Sequence, residues 1–278
     1  HASTVLGGVP PRLKQHGDIP PLSGMRISRL LSIATLNLPT EEKRRLAKGG
    51  TSVTPSIPIQ PMLRFFSRPG NKIVFYGMAG YPSSLTELDN PPFLLSYSER
   101  LPKPSDRIIA LAGSRQSDYE GLWAAYALGK ALAETGFTLL VSNSSGFDRW
   151  ARLGSQSADS RSFVLCDCGL GTKRITSNRS LRGEHLISPF LPYEEVSPQS
   201  CLSRNVLTAA LSTAVIIGQA PKRSGALHVA GCALDLGKDV FVHQSGIGSK
   251  PNQEGSRFLH QSGAPIVGGD DPDQPVVV

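Results

Sequence analysis

No stretch of this 278-residue chain approaches the ~18 to 20 consecutive apolar residues of a membrane-spanning helix, and its first thirty residues lack the apolar core of a secretory signal. A protein of the cytoplasm with no membrane contact is therefore expected. The four cysteines, Cys166, Cys168, Cys201 and Cys232, form no Cys-x-x-Cys pair and have no histidine at zinc-ligand spacing. Neither a metal site nor a disulfide frame is expected, and free thiols fit a reducing compartment. No Gly-x-Gly-x-x-Gly follows an apolar run, which argues against a dinucleotide dehydrogenase, and no cofactor is expected. His185, His228, His243 and His260 stand beside no recognisable nucleophile motif and read as satisfied or exposed side chains.

Acidic charge is scarce at one end. Residues 1–107 carry fourteen Lys and Arg against seven Asp and Glu, whereas residues 108–278 carry fifteen of each, so the formal charge of +7 lies wholly in the first part. Such a bias suits contact with a polyanion through counterion release, and it equally suits a solvated basic surface.

Residues 1–24, with Pro10, Pro11, Pro20 and Pro21, read as a leader. Residues 25–65 read as a small helical element and linker: Ile27, Leu30, Leu31 and Ala34 recur at helical spacing, Pro39 and Thr40 open a second helical stretch, and 49–61 is rich in Gly, Ser, Thr and Pro. Residues 66–270 form the main domain and 271–278 a tail. Short strands are expected at 73–76 and 93–95. From Arg107 onward, apolar runs at 108–111, 137–141, 163–166, 214–217 and 240–242 alternate with amphipathic stretches. That rhythm predicts βαβ units, hence an α/β fold with an extended Rossmann-like, doubly wound, mostly parallel sheet and a small N-terminal helical element.

In such a sheet, ligands sit beyond the carboxyl ends of the strands. Gly113-Ser114-Arg115 follows the first run of the series and precedes a helix expected to open with Ser117 and Glu120 as a capping box. A glycine there admits close approach of a phosphate, the helix N-terminus attracts it, and Arg115 can bind it in bidentate fashion. The turn beginning at Ser142 and running to Asp148 offers small hydrogen-bonding groups to the same crevice, with Asp148 a candidate helix cap. Lys222, Arg223, Ser224 and Gly225 place two cations and a hydroxyl at another helix start, and Arg204 with Asn205 is read as opening a further helix. Each turn taken alone also reads as an ordinary polar strand-to-helix connection.

Their order and wording, over residues 71 to 268, resemble one family, the DprA/Smf DNA-processing proteins. Tyr81-Pro82 with Asn90-Pro91-Pro92-Phe93-Leu94-Leu95 is similar to that family's entry segment, and Ala112-Gly113-Ser114-Arg115 with Ser117 to Gly121 to its Gly-Ser-Arg turn. Ser203-Arg204-Asn205 with Leu211-Ser212 resembles its Arg-Asn helix. Ser224-Gly225-Ala226-Leu227 with Ala230 resembles its Ser-Gly turn, and Gly255 with Gly263-Ala264 its closing segment. The resemblance implies a non-enzymatic, single-stranded DNA-binding accessory protein of natural transformation or recombination. It also implies a homodimer that helps load a RecA-type recombinase. By position, Arg115 matches the pocket arginine, and Arg204 and Asn205 match residues near the bound strand.

The chain departs from the family pattern at the turn 142–152, which is one residue shorter and carries Asn143 for Gly and Arg152 for His. Val206 stands for a second arginine and Gln219 for a glutamate. Two other functions stay open. A nucleotide hydrolase of the lysine-decarboxylase-like group would need a Gly-Gly-x-Gly-Thr turn and a catalytic Glu, neither of which is recognised here. A nucleotide-sensing binding protein would use the same crevice without touching DNA.

Overall fold

Runs of aliphatic residues become strands, and the amphipathic stretches between them become helices, in the computed structural model, which describes residues 26–268. In chain order come α1 (Ile27–Ala34), α2 (Thr40–Lys48), α3 (Gln60–Phe66), β1 (Lys72–Phe75), the one-turn α4 (Ser83–Thr86) and β2 (Leu94–Tyr97). Then follow β3 (Ile108–Ala112), α5 (Tyr119–Glu134), β4 (Thr138–Ser142), α6 (Phe147–Ser157) and β5 (Phe163–Leu165). The last part holds α7 (Lys173–Thr176), β6 (His185–Ser188), α8 (Pro198–Leu211), β7 (Ala214–Ile217), α9 (Gly225–Asp235), β8 (Asp239–His243), α10 (Glu254–Gln261) and β9 (Ile266–Val267). Among the described residues the chain divides into two compact units, one of residues 105–165 and 201–268, the other of residues 26–104 and 166–200. No helix among them is long and apolar enough to cross a membrane.

The first unit is built on parallel strands in the order β5-β4-β3-β7-β8-β9. β3 pairs with β4 on one side and with β7 on the other, in the register Ile109 to Leu139 and Ile109 to Ala214. Both β3 and β7 are buried along their whole length, which is why they read as unbroken apolar runs and not as alternating ones. After β3 the chain moves outward through β4 to β5, and after β7 it moves outward the other way through β8 to β9. Right-handed crossovers then put α5 and α6 on one face and α9 and α10 on the other, and the order reverses between β3 and β7. Helices α5 and α6 approach through reciprocal notches: a Cβ on Gly129 would overlap the carbonyl of Ala151, and one on Gly154 the carbonyl of Tyr126.

In the second unit, Leu30, Leu31 and Ile33 of α1 pack with Ala47, Met62, Phe75, Tyr76, Phe93 and Leu94. β2 pairs antiparallel with both β1 and β6. The Tyr-Pro and Asn-Pro-Pro segments serve this core. Tyr81 Oη donates to the Pro92 carbonyl at 2.8 Å, and Asn90 Oδ1 accepts from the Thr40 amide at 3.1 Å, so both segments tie the helices to the strand pair. Burial holds the Tyr81 phenol well above its ordinary pKa.

The Rossmann-like, mostly parallel fold stands as expected, while several local expectations do not. The helix after Gly113 is capped by Asp118, whose Oδ1 accepts from the Gly121 amide at 2.9 Å; Ser117 Oγ turns back to the Ser114 carbonyl instead. Arg204 and Asn205 lie in the second turn of α8, not at its start. Asp148 is the second residue of α6, whose cap is Gly146, so it is not a cap. The stretch 49–61, taken as linker, gives its last two residues to α3. β6, β9 and α10 were not anticipated. Residues 66–104 fall in the same compact unit as the N-terminal helices. The leader at 1–24 and the tail at 271–278 lie outside the described residues.

Candidate nucleic-acid interface

The turns beyond β3, β4 and β7 converge at the reversal point, and with α8 and α9 they enclose an open cavity of about 490 Å³. A volume of that size suits a nucleotide-sized group. The turn after β3 is held by backbone bonds: the Ser114 amide donates to the Gln219 carbonyl at 2.7 Å, and the Phe147 amide donates to the Ser114 carbonyl at 3.1 Å. Gly113 is required here because a Cβ would fall inside the ring of Phe147.

Asp148 knits the first two turns together. Its Oδ1 accepts from the Gly113 amide at 3.2 Å, and its Oδ2 accepts from the Ser142 amide at 3.2 Å and from the Ser142 hydroxyl. Burial pushes its pKa up; the Ser142 hydroxyl, the Arg204 charge and the two amides pull in the opposite direction without cancelling the rise.

Arg204 reaches the same turns from α8 and is 6 % exposed. Its Nε and Nη2 donate to Asn205 Oδ1 at 3.3 and 2.8 Å, and its Nη1 donates to Ser144 Oγ at 3.4 Å. Asn205 in turn donates from Nδ2 to the Gly225 carbonyl at 3.3 Å, linking α8 to the first turn of α9. Ser224 caps α9 by accepting from the Leu227 amide at 3.3 Å. The leading amides of a helix have no partner within it, so the start of α9, where Gly225 and Ala226 line the cavity, offers partial positive charge to an anion.

Eight of the ten residues singled out in the sequence line this cavity: Gly113, Ser114, Arg115, Ser142, Arg204, Asn205, Ser224 and Gly225. Arg115 is exposed at its rim. Lys222 and Arg223 are not part of the lining; Lys222 Nζ pairs with Glu254 at 3.5 Å, and Arg223 takes a positive φ of 58° at the turn before Ser224. Gln219, where the resembling family carries a glutamate, also lies outside the lining. Its Oε1 accepts from the Asp118 amide at 3.1 Å and from Asn252 Nδ2 at 2.8 Å, while its Nε2 donates to Asp118 Oδ1 at 2.7 Å. The amide both donates and accepts here, which an ionised carboxylate cannot do, and a carboxylate would also face Asp118.

The helix α2 is not the solvated basic face that its run of cations suggests. Lys43 Nζ donates to the Ala34 carbonyl at 3.1 Å and lies 6.0 Å from the Phe93 ring, and burial lowers its pKa. Arg44 pairs with Glu41 at 3.1 Å. Only Arg45 and Lys48 of that group are exposed. A different basic segment was missed. Lys173, Arg174, Arg179 and Arg182 are all exposed within residues 173–182, a stretch without an acidic residue. Arg174 pairs with buried Asp167 at 3.4 Å. A local charge count, in place of one over whole halves, finds this segment. Among the described residues no group of three or more His, Cys, Asp or Glu side chains is placed to hold a metal ion.

The sequence model of the family described as DNA recombination-mediator protein A matches residues 72–274. The chain is 28% identical over 186 residues to protein Smf of Borreliella burgdorferi, a match covering 65% of this chain and 59% of that one. It therefore spans well under two-thirds of that relative's length. The fold is similar to that of DNA processing protein A from Streptococcus pneumoniae, with a TM-score of 0.68, 21% identity and 88% of this chain covered against 91% of that one. It is also similar to DNA processing protein A from Helicobacter pylori, described for its single-stranded DNA binding mode, with a TM-score of 0.60, 21% identity and coverage of 70% and 90%.

Proposed function

The chain belongs to the DNA recombination-mediator protein A family, and from that premise we propose that it is a single-stranded DNA-binding accessory protein of DNA processing, serving recombination or natural transformation without catalysing a reaction. The observation that carries this reading is the cavity at the sheet's reversal point. It combines a buried guanidinium held by Asn205, a rim arginine, two turns that contribute Gly113, Ser114, Ser142 and Ser144 to the lining, and a helix N-terminus. That set recognises phosphate without recognising a base, which suits a strand bound irrespective of sequence. The similar Helicobacter pylori protein, described for single-stranded DNA binding, points the same way. Binding as a homodimer and loading of a RecA-type recombinase belong to this proposal. The exposed Leu234 and Phe258, on helices packed against β8, and Ile266 on β9 supply apolar surface for a second copy.

The test is a titration of single-stranded and duplex oligonucleotides over a range of salt. Tighter binding of the single strand at ~150 mM salt, with log affinity falling linearly in log salt, is expected. Equal affinity for duplex would overturn the proposal. Release of free base from a nucleotide would make the protein a hydrolase. Tight mononucleotide binding without oligonucleotide binding would make it a nucleotide sensor.

A further inference from the structure

Helix α5 carries two surfaces. Gly121, Ala125, Leu128, Gly129 and Leu132 form its buried side, which already satisfies the helix's packing. On the other side, aromatic rings gather at the N-terminal end, although aromatic residues make up only 6% of the chain. Tyr119 is 79% exposed and Trp123, one turn later, is 55% exposed. Tyr126 lies parallel to Trp123, with ring centroids 5.4 Å apart and planes inclined by 11°. Neither Tyr119 Oη nor Trp123 Nε1 hydrogen-bonds to the described protein. Large rings left in water without a fold-level reason mark a contact surface.

We propose that this ridge stacks the unpaired bases of a single strand whose phosphates occupy the cavity beyond β3. The proposal rests on the cavity's being a phosphate site and adds where the bases go. The chain itself bounds the distance between cavity and ridge. Arg115 and Gln116 line the cavity, and the four residues from Arg115 to Tyr119 span at most about 14 Å even when fully extended. Trp123 lies about 6 Å further along the helix. Acidic charge at the start of α5 is taken up by Lys250, whose Nζ lies 2.6 Å from Asp118 and 3.4 Å from Glu120.

The chemistry of the ridge favours bases over another protein. Along the same stripe the remaining exposed residues are Glu120, Ala127, Lys130 and Glu134, with Lys130 and Glu134 paired at 3.6 Å. Apart from the Ala127 methyl, the apolar area is therefore ring face. It lacks the continuous aliphatic patch that the centre of a protein interface needs, while every base offers a flat face of its own.

The experiment compares the full chain with Trp123→Ala and Trp123→Phe, using a short oligothymidylate and a strand of equal length with abasic sugars throughout. Trp123→Ala should weaken binding of the oligothymidylate by about fivefold to a hundredfold and leave binding of the abasic strand unchanged. Trp123→Phe should restore most of the loss. In a Trp150→Phe background, Trp123 fluorescence should be quenched by the oligothymidylate and not by the abasic strand. If wild type and Trp123→Ala bind the oligothymidylate equally, the ridge is not a base platform, although the cavity remains a phosphate site. If Trp123→Ala changes the sedimenting mass and not the binding, the ridge is a protein contact and the proposal fails. If wild-type protein binds neither strand, the phosphate site itself is lost and this inference with it.

Discussion

Replacing Arg204 with methionine removes the buried cation of the cavity while nearly conserving side-chain length, so little void opens. Two consequences follow from its bonds. Asn205 Oδ1 loses two charge-assisted donors and Ser144 Oγ loses one. A buried acceptor left unsatisfied costs about 1–3 kcal/mol, and the unfolding free energy should fall by that order. For binding, one fewer phosphate contact makes the slope of log affinity against log salt shallower by about 0.7 for a single strand. Arg204→Lys separates the two effects: the charge, and so the slope, is kept, but the planar fork that serves Asn205 is lost, and affinity drops at every salt concentration. Denaturant unfolding and fluorescence anisotropy with a labelled oligonucleotide read both quantities. A folded Arg204→Met protein with wild-type slope and affinity would refute the assignment of Arg204 to the phosphate site.

Arg115→Ala, at an exposed position, should leave stability within about 0.5 kcal/mol and also flatten the salt slope by about 0.7; an unchanged slope removes Arg115 from the interface. Because burial already holds the Asp148 carboxyl above its ordinary pKa, an anion entering the cavity favours its protonated form. Oligonucleotide affinity should therefore rise as pH falls from neutrality toward that raised pKa and level off below it, and Asp148→Asn should abolish the dependence. Gln219→Glu sets a carboxylate against Asp118, whose own pKa is held at about 2, with its bond from Lys250 the largest cause. The variant should melt lower at neutral pH and recover as acid protonates the new carboxyl; equal melting at about pH 4 and about pH 7, relative to wild type, would refute the pairing. Neutralising Arg45 and Lys48 should slow association at low salt and barely change affinity at high salt, since exposed charges are screened beyond ~8 Å at physiological ionic strength.

What the sequence disclosed depended on how each element is buried. β3 and β7 are covered on both faces, so composition alone marks them. β6 begins at His185 and ends at Ser188 in an antiparallel pairing, and β9 is two residues long, so neither shows a run or an alternation long enough to read. At α5 two capping-type residues stand side by side, and only the fold decides that Ser117 turns back while Asp118 caps. The site was legible as turns after strands, because ligand position in this architecture follows from strand order. Asp148 was visible only as a polar residue near a helix start. Its actual task, bridging the turn at Gly113, 35 residues before it, to Ser142, 6 residues before it, needs a contact that no local spacing reveals.

Charge was the least transferable signal, for a physical reason. A cation counts toward attraction of a polyanion only if no protein group already uses it and if it faces the ligand. Lys43 spends its charge on a carbonyl inside a helical core, Arg44 on Glu41, and Lys222 on Glu254. Arg204, by contrast, adds nothing to the N-terminal excess and is nearly covered, yet it lines the cavity at the sheet's reversal point. A guanidinium held there by Asn205 loses little freedom on meeting a phosphate, and water competes with it less than at an open surface. In the proposed phosphate site its value to binding would therefore exceed that of several exposed lysines. If the chain binds a single strand as proposed, the formal charge of +7 would set how fast the strand arrives, and the few positioned groups after β3, on α8 and at the start of α9 would set whether it stays.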